Sequence, residues 1–166
     1  MWNPEHLDLL KSGVEQWNAW RTQNEDICPN LNDARLNGFD LSGANLGGAQ
    51  LFAAELKATN LSHANLSNAN LYYANLQGAN LMRADLTDAN MIKANLEGAD
   101  LRNARLERTY LEDANLSKVN LEYTNLPDAK LRRANLEAAQ LRDTGFCDAD
   151  LRDANLNQAD LTNLTR

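Results

Sequence analysis

The sequence predicts an all-β chain wound as a β-helix and closed at its N-terminus by an α-helical cap, and three observations carry that reading. From Leu31 to Leu161 every fifth residue is a large apolar side chain, leucine at 25 of 27 positions, with Met91 and Phe146 the exceptions. Two residues before each stands alanine in 20 of the 27 units, and one residue before stands Asn or Asp in 19. Residues 1–27 lack this metre and carry a helical spacing instead.

The five-residue unit is legible in physical terms when its large apolar residue is labelled i. A straight α-helix turns about 100° per residue, so five steps rotate each leucine by roughly 140° from the last and scatter the apolar face. A straight strand fails because five is odd, and two-residue alternation sends successive leucines to opposite faces. Both conflicts disappear if the chain bends once per unit, with i and i−2 pointing inward. Alanine at i−2 then answers crowding near the axis. Asn and Asp at i−1 are expected to take left-handed conformations and to bond nearby backbone in the turns. Positions i+1 and i+2 face outward and hold the variable residues.

The runs Ala64-Asn65-Leu66, Ala69-Asn70-Leu71, Ala74-Asn75-Leu76 and Ala79-Asn80-Leu81 resemble the tandem units of the pentapeptide-repeat family, over about residues 29–163. The resemblance implies a right-handed quadrilateral β-helix (the repeat-five-residue fold), four units and so twenty residues to a coil. Residues 28–166 then make about seven coils, a rod of roughly 33 Å at strand spacing. Phe39, Thr59, Thr109, Val119, Thr124 and Thr144 replace alanine at i−2, and Gly145 precedes Phe146, so local repacking is expected there. The family is abundant in cyanobacteria, and the stretch from Leu9 to Trp20 resembles helical leads found there.

The N-terminal segment, residues 1–27, reads as one capping helix. Asn3 is placed to cap it, with Pro4 at the first helical position and Glu5 in the first turn. Leu7, Leu10, Val14 and Trp17 follow at helical spacing to about Asn24. A helix there covers the unpaired backbone edge and exposed core of the first coil. No similar device follows Leu161, which predicts a homodimer through the C-terminal coil.

Composition narrows function by exclusion. Sixteen Lys and Arg against 23 Asp and Glu give a net charge of −7, contrary to what phosphate neutralisation needs, so no direct nucleic-acid contact is expected. Cys28 and Cys147 lie about six coils apart, roughly 28 Å at strand spacing and beyond disulfide reach. That suits a reducing compartment. The first residues are acidic where a secretion signal is basic, and no long apolar run occurs, so a cytoplasmic protein with no membrane contact is expected. His6 and His63 have no cluster of ligands around them in the repeat, Gly43, Gly47 and Gly48 form no nucleotide-binding fingerprint, and carboxylates on a convex rod lack a cleft. No catalytic residue, cofactor or metal is assigned, and the chain reads as a non-enzyme.

Sorting the outward positions by a period of twenty exposes one stripe. Phe52, Tyr72 and Ile92 fall in one column, Tyr73 beside Tyr72, and Tyr110 on the same side one coil further on. These five are the candidate residues for an unknown protein partner, with Glu112 and the basic cluster Lys130, Arg132, Arg133 and Arg152 beyond them. Asn75, Asn95, Asn115, Asn135 and Asn155 form another column, read as an amide ladder. The function expected is a non-enzymatic interaction or scaffold protein that displays side chains on a rigid rod. The resemblance supplies the alternative, an acidic DNA mimic that binds DNA gyrase and protects it from fluoroquinolones; the mixed charge of every side argues against it.

Overall fold

The computed structural model describes residues 3–165. Met1 and Trp2 of the expected cap, and Arg166 of the expected coil region, lie outside them. Helix α1 spans Pro4–Ser12, and the Asn3 side chain accepts a hydrogen bond from the Glu5 N–H at 3.0 Å, as a capping asparagine should. The single helix expected to about Asn24 is in fact two. Helix α2 spans Val14–Gln23, and Gly13 between them holds φ 132° and ψ 154°, where a Cβ would also meet the Gln16 side chain at 2.7 Å. The apolar spacing of Leu7, Leu10, Val14 and Trp17 runs through this break, so periodicity concealed it.

Beyond the cap the chain coils with a period of twenty. Parallel pairings join Asn30 to Gln50, Arg35 to Glu55, Asp40 to Asn60 and Asn45 to Asn65, and repeat up to Gly145 and Thr165. These four pairings define a first, second, third and fourth side. The extended segments are short, each side contributing one paired residue per coil rather than a strand. Three rungs recur at each pairing. On the fourth side the Leu66 N–H donates to the Asp85 carbonyl at 2.7 Å, Asn68 to Thr87 at 2.9 Å, and Asp85 back to Ala64 at 2.9 Å. A fourth bond closes the turn, from the Ala69 N–H to the Leu66 carbonyl at 3.0 Å.

The turns correct the role assigned to Asn and Asp. The left-handed residue is i+2, not i−1: Tyr73, Lys93, Asp113 and Arg133 have φ of 61°, 58°, 57° and 57°. Asparagine at i−1 is useful for its side-chain oxygen instead. Asn75 Oδ1 accepts from the Gln77 N–H and Asn95 Oδ1 from the Glu97 N–H, each at 3.2 Å. Their Nδ2 groups then reach down the column, Asn115 to Asn95 at 3.0 Å and Asn155 to Asn135 at 2.9 Å, which makes the expected ladder.

Leucines at i and alanines at i−2 are buried through most of the rod, each leucine contributing about 2 kcal/mol by leaving water. Thr59, Thr109, Thr124 and Thr144 fit the alanine column because each hydroxyl donates to a leucine carbonyl of the coil below, Leu36, Leu86, Leu101 and Leu121, at 2.7–2.9 Å. Phe39 instead stays half-buried near the cap, with Lys11 Nζ 5.9 Å from its ring centroid.

The cap works by satisfying the first coil's edge. The Asn3 N–H donates to the Asn30 carbonyl at 2.9 Å, and His6 Nδ1 accepts from the Asn30 N–H at 3.0 Å. Trp17 Nε1 donates to the Asn45 carbonyl, and the Asn45 N–H donates to Asn18 Oδ1, both at 2.8 Å. Buried Arg21 places Nη2 on the Gly47 carbonyl at 3.1 Å and Nη1 on the Ile27 carbonyl at 2.6 Å. Arg21→Met leaves these carbonyls without donors, so we expect a loss of about 1–3 kcal/mol in urea unfolding. An unchanged midpoint would show that the cap does not depend on these bonds.

Candidate functional site

The first side brings the aromatic residues together because its outward i+1 and i+2 positions stack coil on coil. Phe52 and Tyr72 lie nearly parallel with centroids 6.0 Å apart, while Tyr73 meets Tyr72 edge-on at 4.6 Å and Phe52 at 6.4 Å. Phe52 and Tyr73 are exposed, and Tyr72 is half-buried between them. Ile92 continues the column, its carbonyl accepting from the Tyr73 N–H at 3.2 Å. Tyr110 is exposed but stands in the neighbouring i−1 column, between Asn90 and Lys130, and makes no ring contact with the other aromatics among the described residues. Lys93 extends the group: its Nζ donates to Tyr73 Oη at 3.2 Å and sits 5.3 Å from the ring centroid. That hydrogen bond and the ammonium charge hold the Tyr73 phenol below its usual range.

Further along this side the basic cluster divides. Arg133 grips Asp113 with two bonds of 2.7 and 2.9 Å, and Arg152 binds Asp150 at 2.8 and 2.5 Å. Lys130 and Arg132 make no ion pair among the described residues, so they are the cations free to meet a partner. Corner charges elsewhere pair along the rod in the same way, Arg108 with Asp88 through two bonds of 2.8 Å and Arg105 with Asp85 at 3.1 Å.

Two shallow depressions of about 280 Å³ each lie on the fourth side and its edge with the third, lined around Asn103, Tyr123, Asn125, Pro127 and Gly145. Sorting for apolar columns missed Tyr123, which is 57% exposed. The signal for it was the pair of misfits beside it, Pro127 at an i+1 position and Gly145 at an i−1 position. His6 is engaged with the first coil's backbone and His63 is an exposed corner residue with φ 59°. Among the described residues no group of His, Cys, Asp and Glu is arranged to hold a metal, and no helix is long and apolar enough to cross a membrane.

A family model described as pentapeptide repeats matches in eight copies, over residues 30–68, 49–88, 64–103, 94–137 and 129–163. Among solved structures, the chain is similar to HetL, a pentapeptide repeat protein involved in heterocyst differentiation regulation in the cyanobacterium Nostoc. The identity is 28%, the match covers 80% of this chain and 86% of that one, and the TM-score is 0.35. It is also similar to Rfr23 of the cyanobacterium Cyanothece, at 25% identity over 89% and 96% of the two chains with a TM-score of 0.31. Trypsin-treated QnrB1, a plasmid-mediated fluoroquinolone resistance protein, is 21% identical over 78% and 71%, with a TM-score of 0.45. No curated protein matches the chain.

The ion pairs make stability sensitive to acid. Bonds from Arg108 and Arg133 hold the carboxyls of Asp88 and Asp113 below their ordinary 3.8, and Asp100 is lowered by Arg102. A lowered carboxyl stabilises the fold above its unfolded pKa, and the contribution is lost as pH falls through the folded value. Unfolding temperature should therefore drop below about pH 4, and Asp88→Asn with Asp113→Asn should flatten that slope. An identical slope in the double variant would exclude these pairs as its source.

Proposed function

This chain belongs to the pentapeptide repeat family, and from that premise we propose that it is a non-enzymatic interaction protein whose first side is the docking surface for a protein partner. The observation that carries the reading is the ring cluster of Phe52, Tyr72 and Tyr73, which puts aromatic area in water on a face where other columns carry amides and charges. A β-helix holds such side chains at fixed spacing, so little ordering entropy is lost when a partner docks. Ile92 extends the apolar strip, Tyr110 flanks it, and Lys130 and Arg132 offer charge to an acidic neighbour of the bound segment. The remaining parts of the reading are a cytoplasmic location and right-handed winding of the four-sided coil, both taken from the sequence and its family resemblance.

Pairing of acids with arginines speaks against the DNA-mimic alternative. A phosphate mimic needs a run of uncompensated negative charge, whereas Asp85, Asp88, Asp100, Asp113 and Asp150 each face an arginine.

Replacing Phe52, Tyr72 and Ile92 together by Ser tests the docking surface. We expect the variant to keep its circular dichroism spectrum and to lose at least one protein that the wild type captures from native lysate. An identical set of captured proteins would overturn the reading.

We also propose that a second copy of the chain pairs through the C-terminal coil. In that coil Leu161 and Leu164 are exposed, Leu151 and Leu156 only half-buried, and the N–H groups of Leu151 and Leu156 make no rung among the described residues. Light scattering at micromolar concentration should return twice the chain's 18.5 kDa. A mass of one chain would exclude the dimer.

A further inference from the structure

The fourth side carries a second, independent feature that begins with one substitution in the repeat. Every other asparagine at an i−1 position accepts a hydrogen bond from the backbone N–H two residues on, as Asn115 does from Ser117 and Asn135 from Glu137. Asn125 has no such donor, because residue 127 is proline and lacks the N–H. Nor can it join a ladder. Its column neighbours are Arg105 below and Gly145 above, and Arg105 turns to Asp85. The Asn125 carboxamide therefore makes no hydrogen bond among the described residues.

The backbone loosens at the same place. Arg105 and Asn125 remain in register, yet three regular rungs do not reach hydrogen-bond geometry: Asn103 N–H to the Glu122 carbonyl, Leu106 N–H to the Asn125 carbonyl, and Asn125 N–H to the Ala104 carbonyl. The Glu122 carbonyl instead receives a long contact of 3.4 Å from the Thr124 hydroxyl. Where these rungs open, one depression forms between Asn103 and Pro127, and the second continues it past Gly145 to Cys147 and Thr165. Both share Asn125 and Pro127. Gly145 lets the Asn125 carboxamide lie over its backbone, since a Cβ there would collide with the Asn125 side chain.

We propose that this continuous groove binds a short extended peptide segment carrying an apolar residue next to a basic one. A carboxamide offers one donor and one acceptor side by side, the complement of a peptide unit, and Asn125 has both unused. The Tyr123 ring and Pro127 form an apolar wall for a side chain. Arg105 is already bonded to Asp85, and Arg108 is shared between Asp88 and Glu107, so the rim keeps a carboxylate in excess at Glu107, with Asp128 and Asp148 alongside Cys147. The three coil steps from residue 105 to 165 span roughly 14 Å, the length of about four extended residues. A helix about 10–12 Å across is too wide for so shallow a groove.

The test is a random 12-residue peptide library displayed on phage and selected on the full chain, with the winning peptide labelled and its affinity measured by fluorescence anisotropy. Enriched peptides should place an apolar residue beside Lys or Arg. Affinity should fall at least tenfold in Asn125→Ala and in Pro127→Ser. The second variant keeps the fold because it restores the missing N–H, which captures the Asn125 carboxamide and takes it from the ligand. The site is overturned if no peptide is enriched over bare resin, if both variants bind as the wild type does, or if binding is lost instead in the Phe52, Tyr72 and Ile92 serine variant.

Discussion

The rung between residues twenty apart is the interaction on which the rest of this molecule depends. A single paired residue per side is a weak strand, but four sides repeat it at every coil, and each leucine N–H finds a carbonyl at 2.7–2.8 Å through most of the rod. This regularity sets the composition. A small side chain occupies i−2 through most of the rod, a leucine fills the axis at i, and i+2 must turn left-handed whatever residue occupies it, at a cost that the turn and rung bonds offset. The scaffold thus consumes the inward positions and leaves i+1 and i+2 free for other work.

Any end of such a stack exposes rungs with no partner, and the cap answers this with side chains rather than with a strand. Asn18, His6, Trp17 and Arg21 reach the edge groups of Asn30, Gly43, Asn45 and Gly47, serving three of the four sides. The break at Gly13 divides the cap into two short helices. Arg21 is the least predictable part, a buried cation held by carbonyl oxygens near the end of α2, where the helix dipole also favours positive charge.

The same dependence explains where recognition is concentrated. On the first side the rungs are intact and display is the only available mechanism, so aromatic rings stack outward at the coil spacing. On the fourth side the rungs loosen around Arg105 and Asn125, and a convex rod gains a concave feature. The two sites differ in kind, one a rigid flat face and the other a polar groove formed by a local fault in the repeat.

Once the family resemblance supplied four units to a coil, the column of Phe52, Tyr72 and Ile92 was legible from numbering, because a strict period turns sequence separation into spatial adjacency. So were the asparagine ladder and the buried leucine and alanine columns. Tyr110 was legible as an i−1 residue of the same side; that this column stands away from the rings depends on where the backbone puts each position of the unit. Pro127 and Gly145 were visible as letters, but their effect required knowing that Asn125 relies on one N–H and on two neighbours twenty residues away.

By itself, then, the sequence determined the five-residue unit and its core through periodicity and side-chain size, and the coil and the order of its outward columns through its family resemblance. The tertiary structure decided the break at Gly13, the left-handed position in each turn, which arginines are already paired and where the rungs open. Those outcomes depend on hydrogen-bond geometry between residues in different coils, and a period specifies which groups are neighbours without specifying which of them bond.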